Sequence, residues 1–131
     1  MHSNVSTRVL GIGLDLVDVE RFEAVLQRQG ERFIKRVFTD EEQQYCRHKH
    51  SPAMFYAARF AAKEAVSKAF GTGIGEALGW LDIEITHGIH GAPLVKLHGK
   101  AQGLALQRGV SEVLVSLTHT SSTAGASIIL Q

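Results

Sequence analysis

The sequence predicts an α+β fold, a single compact domain in which an antiparallel sheet packs against a long central helix. Two observations carry this. Apolar residues recur at the helical period through most of the first half, after one opening strand, and beyond Gly75 the pattern changes to strand alternation. The helical and extended stretches also lie in separate blocks, as antiparallel strands with segregated helices require. At 131 residues the chain is read as one domain, residues 1–131, long enough to bury a core.

Residues 1–7 are polar and are expected to be frayed. Residues 8–17 form a near-continuous apolar run, the pattern of a strand buried on both faces. Gly11 and Gly13 alternate on one of those faces and predict close approach by another backbone. Asp15 interrupts the run. A carboxylate there must cap the next helix, meet a core cation or hold a metal, because an unpartnered buried charge is costly. Asp18 is the expected N-cap of a helix over residues 19–29 that stops at Gly30. Its apolar stripe is Phe22, Val25 and Leu26 with Gln29. Arg21, Arg28 and Arg32 lie outside the stripe, either as a solvated edge or as a basic edge for an acidic partner. A short helix over residues 32–38 precedes Thr39 and Glu42, which match a capping box and start a helix to about His48.

Ser51 and Pro52 supply N-cap and first position for the organising helix, which runs to Gly71. Ala61, Ala62, Ala65, Val66 and Ala69 share one arc, built to pack; Lys63, Glu64, Ser67 and Lys68 share the opposite arc and are expected to border a cleft. The plainer alternative is a solvated face with a Glu64/Lys68 pair of about 0.2–0.5 kcal/mol. Phe60 in that polar arc needs cover from a partner subunit, a ligand or another segment. Gly71 to Gly75 read as a glycine C-cap whose N–H groups are also suited to an anion.

Residues 80–86 and 94–98 alternate around a turn and predict a hairpin. Residues 100–108 predict a short helix with Leu104 and Leu106 partly inside, and residues 112–119 and 124–130 two final strands.

The formal net charge of +1 and the lack of a basic block argue against nucleic acid. No signal peptide or membrane-length apolar run is present, and the single Cys46 cannot form an internal disulfide, so the expected location is the cytoplasm. Zinc spacing is missing among the seven scattered histidines. Asp15 and Glu64 are hard oxygen donors suited to magnesium, which is commonly held by two carboxylates with water and phosphate. His119 ends a strand and opens a hydroxyl-rich turn, an anion-friendly place.

Gly11-Ile-Gly-Leu-Asp15, Arg59-Phe-Ala-Ala-Lys-Glu-Ala65 with Lys68-Ala-Phe-Gly-Thr-Gly-Ile74, and Val115-Ser-Leu-Thr-His-Thr120 resemble three signatures of the holo-acyl-carrier-protein synthases, small bacterial 4′-phosphopantetheinyl transferases. The resemblance runs from about Leu10 to the C-terminus. It implies transfer of the phosphopantetheine arm of coenzyme A to a serine of apo acyl carrier protein, with release of adenosine 3′,5′-bisphosphate. It also implies Mg²⁺, a role in fatty acid biosynthesis, and a homotrimer with sites between subunits. By matching position it implies Asp15 and Glu64 as metal ligands, with Glu64 a candidate base and Lys68 stabilising charge on the leaving phosphate, helped by Lys63. Arg59 and His119 are expected at the 3′-phosphate and nucleotide end, with Gly71, Thr72 and Gly73 as backbone donors beside them. Arg21, with Arg28 as an extension, is expected to meet the acidic carrier protein. A subunit interface would cover Phe60. Ala58 departs from the glycine that many relatives carry, and no function is carried to residues 87–91. The competing reading is a non-catalytic module that binds coenzyme A or carrier protein.

Overall fold

The computed structural model describes residues 8–131, so the expected frayed tail lies outside the described residues. The opening strand β1, Gly11–Asp18, starts later than its apolar run. It leads into α1, Val19–Gln29, capped by Asp18, whose Oδ1 accepts from the Arg21 amide at 3.0 Å. Helices α2, Glu31–Val37, and α3, Asp40–Arg47, follow. Thr39 and Glu42 form the expected reciprocal capping box at the head of α3.

The organising helix α4 is Pro52–Phe70. Pro52 opens it as expected, but Ser51 makes no side-chain cap. Gly71 closes it at φ 78°, a left-handed position that favours glycine.

Beyond the glycine loop, Trp80–Asp82 is a single 3₁₀ turn rather than the start of a strand. The hairpin is therefore β2, Ile83–His87, with β3, Pro93–Leu97. Helix α5, Gly99–Gln107, leads to β4, Val113–His119, and β5, Thr123–Leu130. Among the described residues there are two antiparallel sheets rather than one: β1-β5-β4, and the separate pair β2-β3. Asp15 stands opposite Ala126 in the β1–β5 register, and His119 opposite Ala124 in β4–β5.

The core lies on both sides of α4. Its alanine arc meets Ala126, Ile128 and Leu130 of β5 and, with Val66 and Phe70, Ile83 and Ile85 of β2. A second cluster joins Tyr56, Ala57 and Ala58 to Phe22, Phe33, Phe38 and Cys46. The β1 glycines are why the helix lies so close. A Cβ on Gly13 would overlap the Ala65 carbonyl, and one on Gly11 the Ala69 carbonyl. The close approach predicted from sequence is thus made by α4 of the same chain.

Two further expectations change. β1 is not buried on both faces within the chain: Ile12, Leu14 and Leu16 are 71%, 63% and 67% exposed on the face away from α4. Leu106 is exposed, because α5 turns Ala101 and Ala105 inward instead. Of the covers the sequence left open for Phe60, the structure shows another segment of its own chain, with Trp80 stacked on it at 4.9 Å and Phe22 and Phe33 near it at 5.2 and 6.1 Å.

Candidate active site

A cleft of about 660 Å³ opens between β1, α1 and α4, lined by Asp15, Asp18, Arg21, Arg28, Glu64 and Lys68 with Phe22 and Phe60 at its apolar end. Each polar wall residue comes from a different local rule. Asp15 projects from the face of β1 that the glycines bring against α4. Glu64 and Lys68 stand one turn apart on α4. Arg21 and Arg28 lie on the exposed side of α1, opposite its buried Phe22.

Asp15 finds its cation in Lys68, whose Nζ lies 2.7 Å from Oδ1 and donates also to the Leu14 carbonyl at 3.2 Å. That hydrogen bond raises the Lys68 pKa. Lys68 is still half exposed, so the pair is weak by itself and the ammonium can leave it. Burial, with the Asp15 charge added, pushes the Glu64 carboxyl above its ordinary range. A carboxyl whose proton affinity is raised by the charge of a second carboxylate lining the same cleft is a natural seat for a hard cation, which relieves that repulsion. Among the described residues no group of three or more His, Cys, Asp or Glu side chains could hold a metal.

The remaining expected residues are not all here. Lys63 points away from the cleft and is fully buried. Its ammonium pairs with Glu42 at 2.8 Å and donates to the carbonyls of Trp80 and Ile83. Burial pulls its pKa down, and the Glu42 carboxylate opposes that. Ser67 is also buried, its hydroxyl donating to the Glu64 carbonyl. The polar arc of α4 is thus split: Glu64 and Lys68 face the cleft, while Lys63 and Ser67 tie the helix into the fold.

Gly71, Thr72 and Gly73 are exposed, but their amides are spent on the helix end, donating to Lys68 and Ser67 carbonyls. They also lie about 18 Å along the α4 axis from Arg59, which sits near the middle of the helix, so one chain does not bring them together. Arg59 is only 2% exposed. Its guanidinium lies 4.3 Å from the Tyr45 ring centre, donates to the Phe55 carbonyl at 3.1 Å and to His87 Nε2 at 2.6 Å. His119 is exposed beside Phe55, with ring centres 6.2 Å apart, so Arg59 and His119 share a neighbourhood.

Sequence reasoning missed Glu42 as the partner of Lys63, and Tyr45 and His87 as the partners of Arg59. No local signal marks them, since each contact joins distant segments.

The chain matches the 4′-phosphopantetheinyl transferase superfamily over residues 11–124. It belongs to that superfamily. The superfamily match spans every residue of the Asp15/Glu64/Lys68 cleft. Among individual transferases, the chain is 45% identical over 123 residues to the holo-[acyl-carrier-protein] synthase of Syntrophus aciditrophicus, covering 94% of this chain and 96% of that protein. Its fold matches the crystal structure of the Neisseria meningitidis holo-[acyl-carrier-protein] synthase with a TM-score of 0.89 at 31% identity, covering 95% of this chain and 99% of that one. The Helicobacter pylori holo-[acyl-carrier-protein] synthase in complex with coenzyme A matches with a TM-score of 0.82 at 31% identity, covering 92% and 99%. The α+β arrangement expected from sequence is therefore that of these transferases. No helix among the described residues is long and apolar enough to cross a membrane.

Proposed function

We propose that this chain transfers the 4′-phosphopantetheine group of coenzyme A to a serine of apo acyl carrier protein, releasing adenosine 3′,5′-bisphosphate, in support of fatty acid biosynthesis in the cytoplasm. The observation that carries the reading is the cleft in which Asp15, Glu64 and Lys68 meet beside Arg21 and Arg28. The relatives named above are holo-acyl-carrier-protein synthases, and one was crystallised with coenzyme A.

The serine hydroxyl attacks the β-phosphorus of the pyrophosphate, the P–O bond to the bridging oxygen breaks, and the bisphosphate leaves with that oxygen. Charge grows on the phosphoryl oxygens, so the protein's task is positioning and cationic stabilisation. Asp15 and Glu64 are the residues that hold Mg²⁺, which when bound polarises the pyrophosphate. Lys68, released from Asp15, stabilises charge on the leaving phosphate. Glu64 is the candidate to accept the serine proton. Arg21 and Arg28 present positive charge at the mouth, where the acidic carrier protein docks. Arg59 and His119 meet the nucleotide end. Lys63 has no part in contacting substrate.

The outer row Ile12, Leu14 and Leu16 supports a homotrimer, because such a stripe on an exposed sheet face is the kind of surface that subunit contacts cover. A neighbouring subunit is also what would complete the nucleotide site.

Intact-mass spectrometry of apo acyl carrier protein incubated with this protein, coenzyme A and Mg²⁺ tests the reading. The expected gain is one phosphopantetheine, lost with EDTA and reduced about 100-fold or more by Asp15→Asn. No gain with several folded carriers would leave a binding module in its place.

A further inference from the structure

Arg59 is a buried cation without an anion. Among the described residues the ion pairs are Lys63–Glu42, Lys68–Asp15 and His98–Glu84, and none includes Arg59. Its Nε is buried and has no hydrogen-bond partner. A guanidinium cannot lose its proton to escape this, and an uncompensated buried charge is costly.

What covers it is equally unusual. His87, at the end of β2, stacks on Tyr45 with ring centres 4.2 Å apart, and its Nε2 lies against the Arg59 guanidinium. Arg59 can only donate, so this Nε2 must be the acceptor. The proton therefore sits on Nδ1, which faces the Gly91 carbonyl at 3.2 Å in the β2–β3 turn. The other groups around His87 are cationic or neutral. Lys49, from the α3–α4 connection, sits 4.3 Å from the Tyr45 ring centre, Arg59 comes from α4, and Tyr45 comes from α3. No carboxylate balances the cluster. Burial first, then Arg59 and Lys49, hold the His87 pKa below its ordinary value, in keeping with an imidazole that accepts from Arg59.

We propose that Arg59 and His87 form an anion site held shut in the ligand-free chain. An incoming phosphate of the nucleotide takes the place of His87 on the guanidinium, and His87, protonated from solvent as it leaves, becomes a second donor to that phosphate. The imidazole thus changes from acceptor to donor, and the ligand supplies the negative charge the cluster lacks. This inference rests on the reading that Arg59 meets the nucleotide end of coenzyme A. It adds His87, which that reading does not use, and makes binding proton-linked.

Calorimetric titration of the intact protein with adenosine 3′,5′-bisphosphate, near pH 7 and in buffers of different ionisation enthalpy, measures both affinity and proton uptake. His87→Gln keeps an acceptor for Arg59 but cannot titrate, and His87→Phe keeps the stack on Tyr45 but loses both nitrogens. Wild type is expected to take up more protons on binding than His87→Gln, and its affinity to rise relative to that variant as the pH falls towards 6. His87→Phe is expected to bind about tenfold more weakly than wild type. Equal proton uptake by wild type and His87→Gln, with Arg59→Lys still impairing binding, overturns the role of His87 and leaves the nucleotide reading intact. Unchanged binding by Arg59→Lys overturns the nucleotide reading itself.

Discussion

Lys63 and Glu42 are joined at 2.8 Å with both side chains wholly buried, linking the second half of α4 to the head of α3. Glu42 also accepts from the Thr39 and Ile85 amides, at 2.8 and 2.7 Å. The ammonium's three protons have three acceptors, and the carboxylate has further donors, so the pair is fully satisfied and ties together α3, α4, the 3₁₀ turn and β2. Lys63→Met leaves the carboxylate buried without its cation. Thermal or urea unfolding should show a loss of about 3–5 kcal/mol, and Glu42→Gln in the same chain should recover part of it. Nucleotide affinity of whatever fraction stays folded should be unchanged, since Lys63 faces away from the cleft.

Gly13→Ala tests how tightly β1 is held to α4. The added methyl meets the Ala65 backbone rather than a side chain that could rotate away. The strand must shift, taking Asp15 with it. A stability loss of about 3 kcal/mol in urea is expected, along with weaker Mg²⁺ binding. An unchanged midpoint would mean that the two backbones are not in contact.

Glu64 costs the metal-free protein stability when ionised. Its folded-state pKa is raised, so its contribution is fully present below the unfolded value near 4.5 and is lost as pH rises through the folded one. In EDTA, Glu64→Gln should therefore melt higher than wild type at pH 8, and the difference should shrink towards pH 4. Saturating Mg²⁺ should reverse the order at pH 8, because only wild type gains from the metal. A constant difference across the pH range would show that the carboxyl is not perturbed.

Leu14→Lys places a charge in the middle of the exposed row on β1. Sedimentation equilibrium should show the assembly falling to monomer, with transfer activity falling alongside it. Fully active wild-type monomer at micromolar concentration would remove the case for sites shared between subunits.

Most elements were legible because their causes are local. The Thr39/Glu42 capping box, the Gly71 cap, the alanine arc of α4 and the glycine pair of β1 each depend on residues a few positions apart. Asp15, Glu64 and Lys68 could be placed in one cleft from the strand and helix patterns together with the resemblance. What local patterns could not show was which polar residues would be buried. A helical wheel puts Lys63 beside Glu64, but whether that arc meets water depends on Glu42 and the β2 backbone arriving from elsewhere in the chain. The same reason hid the burial of Arg59. The apolar run of β1 was read as an interior strand because sequence does not distinguish a face covered by the chain's own layers from one left exposed.

The clamp between β1 and α4 also ties three side chains of the cleft together. Glu64 and Lys68 ride on a helix whose other side is locked to the strand that carries Asp15, so these three side chains share one rigid frame. Arg21 and Arg28 sit on α1, and His87 at the end of β2, on elements that pack against α4 from other sides. A substitution that tilts the β1–α4 frame therefore displaces Asp15, Glu64 and Lys68 together, whereas one on α1 or the hairpin should alter a single set of contacts and leave the other intact.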